Sequence, residues 1–498
     1  MPEVLKVVAS GDNIPGPQIH DRDVLEALTA LEGRLRSQGH GWQDVSLLML
    51  ANSKDSGTHD GQLASDRDII AGLNRFCGTR RWFPSLMGTT VFSSFYADSG
   101  DSNLDIHDGL LFIAVLSTVV KRISVAYEVS EGDEKRKDAG VNVLRGCIAQ
   151  LRDEVKKEHG VEPSRLSVAD SSLGILFTSG SGHVEAQEFI DFNDCYAIGQ
   201  ELVTQFENLK VVGGCSTNRG PDLLQCIYYS YDDGADLKYG FSYNHGAVAA
   251  MLPCGSTRLF LEHPYVMADA APLQLTFNSK NNYEPGRNFY VQSMNGSNPI
   301  EFLATYWGFS EDALYRMLNE HTAIPAETLT FTHTISSAKS ASEKIIWPNV
   351  PVWFERADDG SVLLRLVRAE PSDSNYYLMV MAPHDEEAPR ATSPDRQRAA
   401  LKALEGNCVD LAKYFNDEIG GPASTLSFIC ESRKILLNEF QSNVEAESIT
   451  SLLPPFARKV GIYLNGEYSI GHPKAIGYHN FSQISVIIPS HRPNELPY

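Results

Sequence analysis

The sequence predicts an α/β protein of internally duplicated strand–helix–strand units that form mixed sheets flanked by helices, plus a C-terminal α/β part. Three observations support this fold class. Apolar, β-rich segments alternate with segments whose apolar residues recur at helical spacing. The order strand, helix, strand, then glycine and small hydroxyl residues, occurs twice in the first half. A further strand–helix pattern closes the chain.

Length and composition restrict the class of protein. The 498 residues exceed the roughly 250–300 that one hydrophobic core serves, so we expect several domains or a duplicated unit. The hydrophobic fraction of 42% and the charged fraction of 21% are typical of a globular protein. The net charge of −21 is spread along the chain and argues against nucleic acid or an anionic membrane as a partner.

The N-terminal stretch and the cysteines indicate the compartment. The stretch MPEVLKVVASGDNIPG has no long apolar core and no small-residue cleavage site, and no window reaches the roughly 18 apolar residues of a membrane-spanning helix. The eight cysteines are scattered and form no CxxC pair, which favours reduced thiols. We therefore expect a cytoplasmic protein.

Residues 1–44 are predicted to be an N-terminal helical extension. In the stretch DRDVLEALTALEGRLRSQ, the four leucines Leu25, Leu28, Leu31 and Leu35 recur at helical spacing.

Residues 45–305 are predicted to be the duplicated α/β domain. The first copy has a strand, a helix and a strand, with two more strands after them, at 45–52, 63–78, 85–95 and 109–129. The second copy repeats the first three elements at 172–180, 185–206 and 210–217. The period is too long for a solenoid and suggests a pseudo-twofold domain.

Residues 306–498 are predicted to be the C-terminal α/β domain. A hairpin turns at Asp358-Asp359-Gly360, and a polar linker follows at 384–395. A helix with one apolar face then ends at Gly420-Gly421, before a strand at 424–432 and a helix around 443–453.

The segment GGCST places Cys215, Ser216 and Thr217 at the end of a buried strand, where α/β folds usually present their binding groups. The alternative is a structural turn with a buried, inert cysteine. A nucleophilic Cys215 would need a lowered thiol pKa and a nearby base.

Two C-terminal segments supply further candidates. Cys430 and Arg433 follow a predicted strand in FICESR, and the arginine can bind a ligand carboxylate or phosphate, or pair with a structural acid. The later segment NGEYSIGHPKAIGYHN holds Glu467, His479 and Asn480, either on an exposed hairpin or in a pocket wall.

Metal and cofactor signals are weak. The sequence has no HExxH, no CxxC and no carboxylate cluster, so we expect no metal site and no cofactor. A single histidine can still be an axial haem ligand, and because no CxxCH motif is present such a haem b would be non-covalent.

The order of these C-terminal motifs resembles that of FIST domains. The family pattern is roughly F-x-C-x-x-R, then G-x-x-x-x-G-E, then H-N before a final strand, and here its positions are Cys430, Arg433, Gly461, Gly466, Glu467, His479 and Asn480. The duplicated region resembles the N-terminal part of the family, so the resemblance covers about residues 45–498. The first copy departs from it, with Met87-Gly88-Thr89-Thr90 where Gly-Cys-Ser-Thr is expected.

The resemblance implies an intracellular sensory protein that binds a small, amino-acid-like or other anionic ligand. The implied ligand-binding residues lie in both parts of the chain: Cys215, Ser216, Thr217, Cys430, Arg433, Gly466, Glu467, His479 and Asn480. Because no catalytic segment of a kinase or cyclase is recognisable, it would signal to a separate protein such as a kinase or a cyclic-dinucleotide enzyme. No catalytic residue is assigned.

Two alternatives remain. Some FIST proteins are haem-based nitric oxide sensors, and His479, or else His472 or His245, would then be the axial ligand. The other alternative is an enzyme that uses Cys430 or Cys215 as nucleophile, with His479 and Glu467 as base and orienting group.

Overall fold

The structure of the protein is a computed structural model that describes part of the chain. The described residues are 5–15, 18–54, 65–98, 104–129, 136–160, 162–163, 172–179, 193–206, 209–217, 225–234, 236–243, 246–254, 257–262, 265–267, 274–277, 289–307, 310–312, 329–333, 352–356, 362–366, 376–381, 406, 409–413, 415–419, 423–436, 444–454, 457–471, 477–479 and 482–489.

The first unit begins close to the N-terminus. Its elements are β1 (Leu5–Asn13), α1 (Asp21–Ser37), β2 (Val45–Asn52), α2 (Ser65–Arg80), β3 (Ser85–Thr90), β4 (Ser93–Ala97), β5 (Asp105–His107) and β6 (Gly109–Ser117). Helix α1 lies where the leucine spacing predicts it. The segment 1–44 also contains β1, which pairs with β6 and so belongs to the first sheet.

The second unit repeats this order. Its elements are β7 (Val125–Glu128), α3 (Arg136–His159), β8 (Leu173–Thr178), α4 (Asn193–Gln205), β9 (Lys210–Cys215), β10 (Cys226–Asp232), β11 (Leu237–Tyr243) and β12 (Ala247–Leu252). The predicted duplication is therefore confirmed, because both units have two adjacent parallel strands, β2 with β3 and β8 with β9.

The C-terminal part contains a third unit with the same order of strands. Its elements are β13 (Arg258–Glu262), β21 (Ala423–Cys430), α6 (Glu431–Leu436), α7 (Val444–Leu452), β22 (Arg458–Leu464), β23 (Glu467–Ile470), β24 (Gly477–His479) and β25 (Gln483–Pro489). The repeat thus occurs three times among the described residues, rather than in the pseudo-twofold form that the sequence suggests.

An insertion separates β13 from β21. It contains β14 (Tyr265–Met267), β15 (Leu275–Phe277), β16 (Phe289–Met294), α5 (Pro299–Trp307), β17 (Leu329–His333), β18 (Val352–Arg356), β19 (Val362–Leu366) and β20 (Tyr376–Met381). These strands form two small sheets, in the orders β14-β20-β17 and β15-β16-β19-β18. The predicted hairpin is present as β18 and β19, whereas its turn and the linker at 384–395 lie outside the described residues.

Each unit contributes a hairpin to the sheet of another unit. The three large sheets have the orders β1-β6-β2-β3-β10-β11, β7-β12-β8-β9-β23-β24 and β13-β25-β21-β22-β4-β5. The first unit thus gives β4 and β5 to the third sheet, the second gives β10 and β11 to the first, and the third gives β23 and β24 to the second. This exchange is cyclic, and it links strands from both sides of the predicted domain boundary at 305/306. The boundary itself stays a prediction.

The alternating side chains of the strands separate an inner from an outer apolar layer. In β2, Leu47, Met49 and Ala51 belong to one large core with residues of all three sheets, while Leu48 and Leu50 pack with α1 and α2. A third cluster covers the third sheet with α7. Because both faces of β2 are buried, its sequence is continuously apolar. No helix in the described ranges is long and apolar enough to span a membrane.

Candidate functional site

The three units meet where β3, β9 and β22 leave one sheet for the next. Here the N–H of Thr217 donates to the carbonyl of Thr90 at 3.0 Å, and the Thr90 hydroxyl donates to the carbonyl of Thr217 at 3.0 Å. These contacts join the ends of β3 and β9. We call this region the junction.

Hydrogen bonds of the main chain complete the junction. The N–H of Asn465 donates to the carbonyl of Cys215 at 3.0 Å, and the N–H of Cys215 donates to the carbonyl of Gly466 at 3.1 Å. The N–H of Phe92 donates to the carbonyl of Tyr463 at 2.8 Å. Residues distant in sequence therefore form one compact region at the carboxyl ends of parallel strands, the usual site of ligand binding in open α/β sheets.

Cys215 lies in a buried cluster of polar side chains. Its Sγ is 2.7 Å from Sγ of Cys195, 3.2 Å from the hydroxyl oxygen of Thr178 and 3.5 Å from that of Tyr468. Burial opposes ionisation of the Cys215 thiol, but hydrogen bonding with Cys195, Thr178, Tyr468 and Tyr478 holds its pKa below the ordinary value. Its polar neighbours distinguish Cys215 from a core cysteine that is surrounded by apolar side chains alone.

Glu467 is fully buried at the start of β23. The hydroxyl of Ser482 donates to its Oε2 at 2.5 Å, and its Oε1 has no hydrogen-bond partner among the described residues. Burial raises the pKa of Glu467 well above its ordinary value, although the Ser482 hydrogen bond and the charge of Arg433 act in the opposite direction. The site therefore favours the protonated carboxyl group.

Arg433 is paired with Glu445, and both side chains are inaccessible to solvent. The Arg433 Nε donates to Glu445 Oε1 at 2.7 Å, and its Nη2 lies 2.6 Å from the same oxygen. The Tyr463 hydroxyl donates to Glu445 Oε2 at 3.4 Å. Of the two uses that the sequence allows for Arg433, the described contacts show the pairing with a structural acid.

The other candidates at the junction are buried. The Ser216 hydroxyl is 2.6 Å from that of Thr89, whereas Oγ1 of Thr217 has no hydrogen-bond partner among the described residues. Cys430 is buried at the end of β21, where its N–H donates to the carbonyl of Ser482 at 3.0 Å.

Gly466 forms the turn between β22 and β23. Its φ of 81° lies in the left-handed region, and a Cβ at this position would be 1.9 Å from the hydroxyl oxygen of Tyr478. Backbone conformation and close packing therefore both require glycine here. The Gly466 carbonyl also accepts the hydrogen bond from the N–H of Cys215.

His479 and Asn480 lie partly or wholly outside the described residues. The backbone of His479 lies in β24, paired with Glu467, but its side chain and the whole of Asn480 lie outside the described residues. His472 and His245 also lie wholly outside the described residues. The haem hypothesis therefore stays a prediction. Elsewhere in the described ranges, no group of three or more His, Cys, Asp or Glu side chains is arranged to hold a metal ion.

Sequence reasoning missed the partners of these residues. Cys195, Tyr468 and Glu445 were not singled out, since each lies in an ordinary helix or strand and becomes relevant only through tertiary contacts. The available signal was the repeat itself. Near the start of its described part, helix α2 carries Asp66, α4 carries Cys195 and α7 carries Glu445. All three side chains are buried.

The equivalent side chains make different contacts in each unit. Asp66 accepts hydrogen bonds from the hydroxyls of Tyr228 and Tyr243, Cys195 contacts Cys215, and Glu445 pairs with Arg433.

No model of a known protein family matches the sequence, and no curated protein matches it either.

Proposed function

We propose that this chain is a sensory protein that binds a small polar metabolite at the junction and signals to a separate partner protein. The supporting observation is a set of buried polar atoms with no hydrogen-bond partner among the described residues: Thr217 Oγ1, Asn465 Nδ2 and Glu467 Oε1. An unsatisfied buried polar atom costs about 1–3 kcal/mol, so such atoms are normally satisfied by a bound molecule or by ordered water.

These three atoms belong to neighbouring parts of the junction. Asn465 and Glu467 flank Gly466, and the main chain of Cys215 bonds to both Asn465 and Gly466. Thr217 lies two residues beyond Cys215. In this proposal one small molecule with donors and acceptors satisfies all three atoms, as the few convergent polar groups of a ligand site do.

The charges favour an amino-acid-like ligand over a multiply charged anion. Arg433 has its charge balanced by Glu445, and Glu467 favours its neutral form. An approaching ammonium group would shift Glu467 towards its ionised form by charge attraction. Arg433 already acts on the Glu467 carboxyl group through its charge, and it would also act on a ligand carboxylate beside it.

The exchanged hairpins provide a route from binding to signalling. Glu467 begins β23, which belongs to the third unit in sequence and to the second sheet in space. A ligand held between Glu467 and Thr217 would therefore favour one arrangement of two units, which is the requirement for a signal. A kinase or cyclic-dinucleotide enzyme as the partner, and a cytoplasmic location, are part of this proposal through the FIST resemblance.

A thermal-shift screen of the full chain against single amino acids and related amines tests the binding. We expect a subset of compounds to raise the unfolding temperature of the wild type, and the rise to be lost in Glu467→Gln and Thr217→Val. Glu447→Gln, at an exposed position on α7, is the matched control and should retain it. The proposal fails if no compound stabilises the wild type, or if Glu467→Gln responds as the wild type does.

The haem alternative depends on His479, His472 or His245, and the thiol enzyme depends on His479, and all three of these side chains lie outside the described residues.

A further inference from the structure

Cys195 and Cys215 have sulfur atoms in direct contact. The Sγ–Sγ distance is 2.7 Å, and both side chains are about 1% exposed. A disulfide has an Sγ–Sγ distance of about 2.05 Å, so the two atoms need to approach by only roughly 0.7 Å. Cys195 lies in the first turn of α4 and Cys215 ends β9, so a bond would join a helix to the neighbouring strand.

The surroundings of Cys215 favour chemistry at its sulfur. The hydroxyls of Thr178 and Tyr468 lie 3.2 and 3.5 Å away and can stabilise a thiolate by hydrogen bonding. The pKa of Cys215 is lowered, despite burial, by hydrogen bonding with Cys195, Thr178, Tyr468 and Tyr478. The thiolate is the nucleophilic form of cysteine.

Other buried cysteines provide the contrast. The Cys147 thiol donates to the carbonyl of Ala249 at 3.0 Å, and burial raises its pKa to about 12. Burial likewise raises the pKa of Cys77 to about 12, although a hydrogen bond with Tyr239 opposes the shift. These two cysteines are the inert core residues that a buried thiol usually represents.

Buried acidic side chains lie near the start of the described parts of α2 and α7, as Cys195 does in α4. Asp66 accepts a hydrogen bond from the Tyr228 hydroxyl, and Glu445 accepts one from Arg433. Cys215 in turn lies at the end of its strand, paired in register with Thr178.

We propose that Cys195 and Cys215 form a redox-active dithiol that hydrogen peroxide converts to an intramolecular disulfide. The Cys215 thiolate attacks one peroxide oxygen, the O–O bond breaks, and a sulfenic acid forms while the departing hydroxide takes a proton to become water. The Cys195 sulfur then attacks the sulfenic sulfur, which forms the S–S bond and releases the second water. Two thiols and one peroxide give one disulfide and two waters, and the sulfur atoms supply the two electrons.

A small oxidant suits this buried site. Hydrogen peroxide is close to water in size and needs only slight local opening to reach the sulfurs. The product is reversible, because an external dithiol can return both cysteines to thiols by exchange.

Peptide mapping of the full chain tests the proposal. The reduced protein is treated with hydrogen peroxide, quenched, denatured, alkylated with N-ethylmaleimide and digested with trypsin, which cleaves after Lys210 between the two cysteines. We expect the two peptides to be recovered joined, two hydrogens lighter than their sum, and to separate with dithiothreitol. The loss of free Cys215 should be faster than that of Cys147 on the order of tenfold or more.

Two variants sharpen this experiment. In Cys195→Ser, the second step is blocked, so dimedone should trap a sulfenic acid at Cys215. In Cys147→Ser, the disulfide should form as in the wild type. The proposal is overturned if both peptides of the native protein remain separate and alkylated, or if Cys215 pairs with a different cysteine.

Discussion

The guanidinium group of Arg433 holds the carboxylate of Glu445 inside the third unit, with both side chains sealed from solvent. The Arg433 Nε–Glu445 Oε1 distance is 2.7 Å, and the Nη2–Oε1 distance is 2.6 Å. Glu445 lies in the first turn of α7 and Arg433 in the helix after β21, so the pair joins two helices that cover the same sheet.

We predict that Arg433→Ala destabilises the protein by about 3–5 kcal/mol, because it leaves the buried charge of Glu445 without its partner. The double variant Arg433→Met with Glu445→Leu should recover most of this loss, since no unpaired charge remains. Midpoints of urea unfolding measure both effects. Equal destabilisation of the single and double variants would contradict the interpretation.

The variant Arg433→Ala is a poor test of ligand binding, because it also breaks the buried ion pair with Glu445. A loss of ligand-induced stabilisation in Arg433→Ala combines the lost contact with the damage to the fold. Substitutions at Glu467 and Thr217 are the sharper tests, because neither removes a charge from an ion pair.

The buried Asp66 is held by two tyrosine hydroxyls, those of Tyr228 and Tyr243. We predict that Tyr228→Phe costs about 1–3 kcal/mol, because it removes a donor to Asp66 and leaves the amide of Asn52 without the acceptor now 2.9 Å away. Tyr231→Phe, on the same strand but half-buried, is the control and should have a smaller effect. Urea unfolding of the two variants makes the comparison.

Burial also raises the pKa of Asp66, although the two tyrosines act in the opposite direction. The folded state therefore binds this proton more tightly than the unfolded state, and its contribution to stability is lost as pH rises through the folded pKa. In Asp66→Asn, the free energy of unfolding should fall less as pH rises from 3.8 through the folded-state pKa of Asp66. An unchanged slope would contradict the assignment.

His107 is predicted to weaken the fold in acid. Burial lowers its pKa from 6.5 to about 4, with Asp105 opposing the shift and Arg34 adding to it. Between these two values the unfolded state binds more protons, so stability present above pH 6.5 is lost as pH falls towards 4, by about 3 kcal/mol at most.

The variant His107→Asn should reduce this slope, measured from unfolding midpoints across the same pH range. The matched control is His20→Asn, because the His20 side chain is 51% exposed. If both variants keep the wild-type slope, the acid sensitivity has another origin.

Gly466 is predicted to tolerate no side chain, for two separable reasons. Gly466→Ala adds left-handed backbone strain of about 1–2 kcal/mol and also a clash with the hydroxyl of Tyr478. Gly234 provides the matched control, because its φ of 86° is similar and a Cβ there meets nothing within 4 Å. Gly234→Ala should therefore show the strain alone. Equal losses in the two variants would exclude the clash.

Local structure followed closely from the sequence. The continuous apolar run 45–52 is the strand β2 with the same bounds, and the helix predicted at 63–78 is observed at Ser65–Arg80. These elements could be predicted because periodicity and apolar runs are properties of neighbouring residues. The run 85–95 was predicted as one strand, yet it divides into β3 and β4, since the chain passes there from the first sheet to the third.

The sequence by itself determined the α/β class, the two repeats of the first half and the positions of most predicted strands. Only the tertiary structure decided the third unit, the cyclic exchange of hairpins, the pairing of Arg433 with Glu445 and the contact of Cys195 with Cys215. The physical reason is that strand pairing and buried side-chain contacts join residues far apart in the chain. Their register depends on how whole sheets pack, and no local pattern of residues records it.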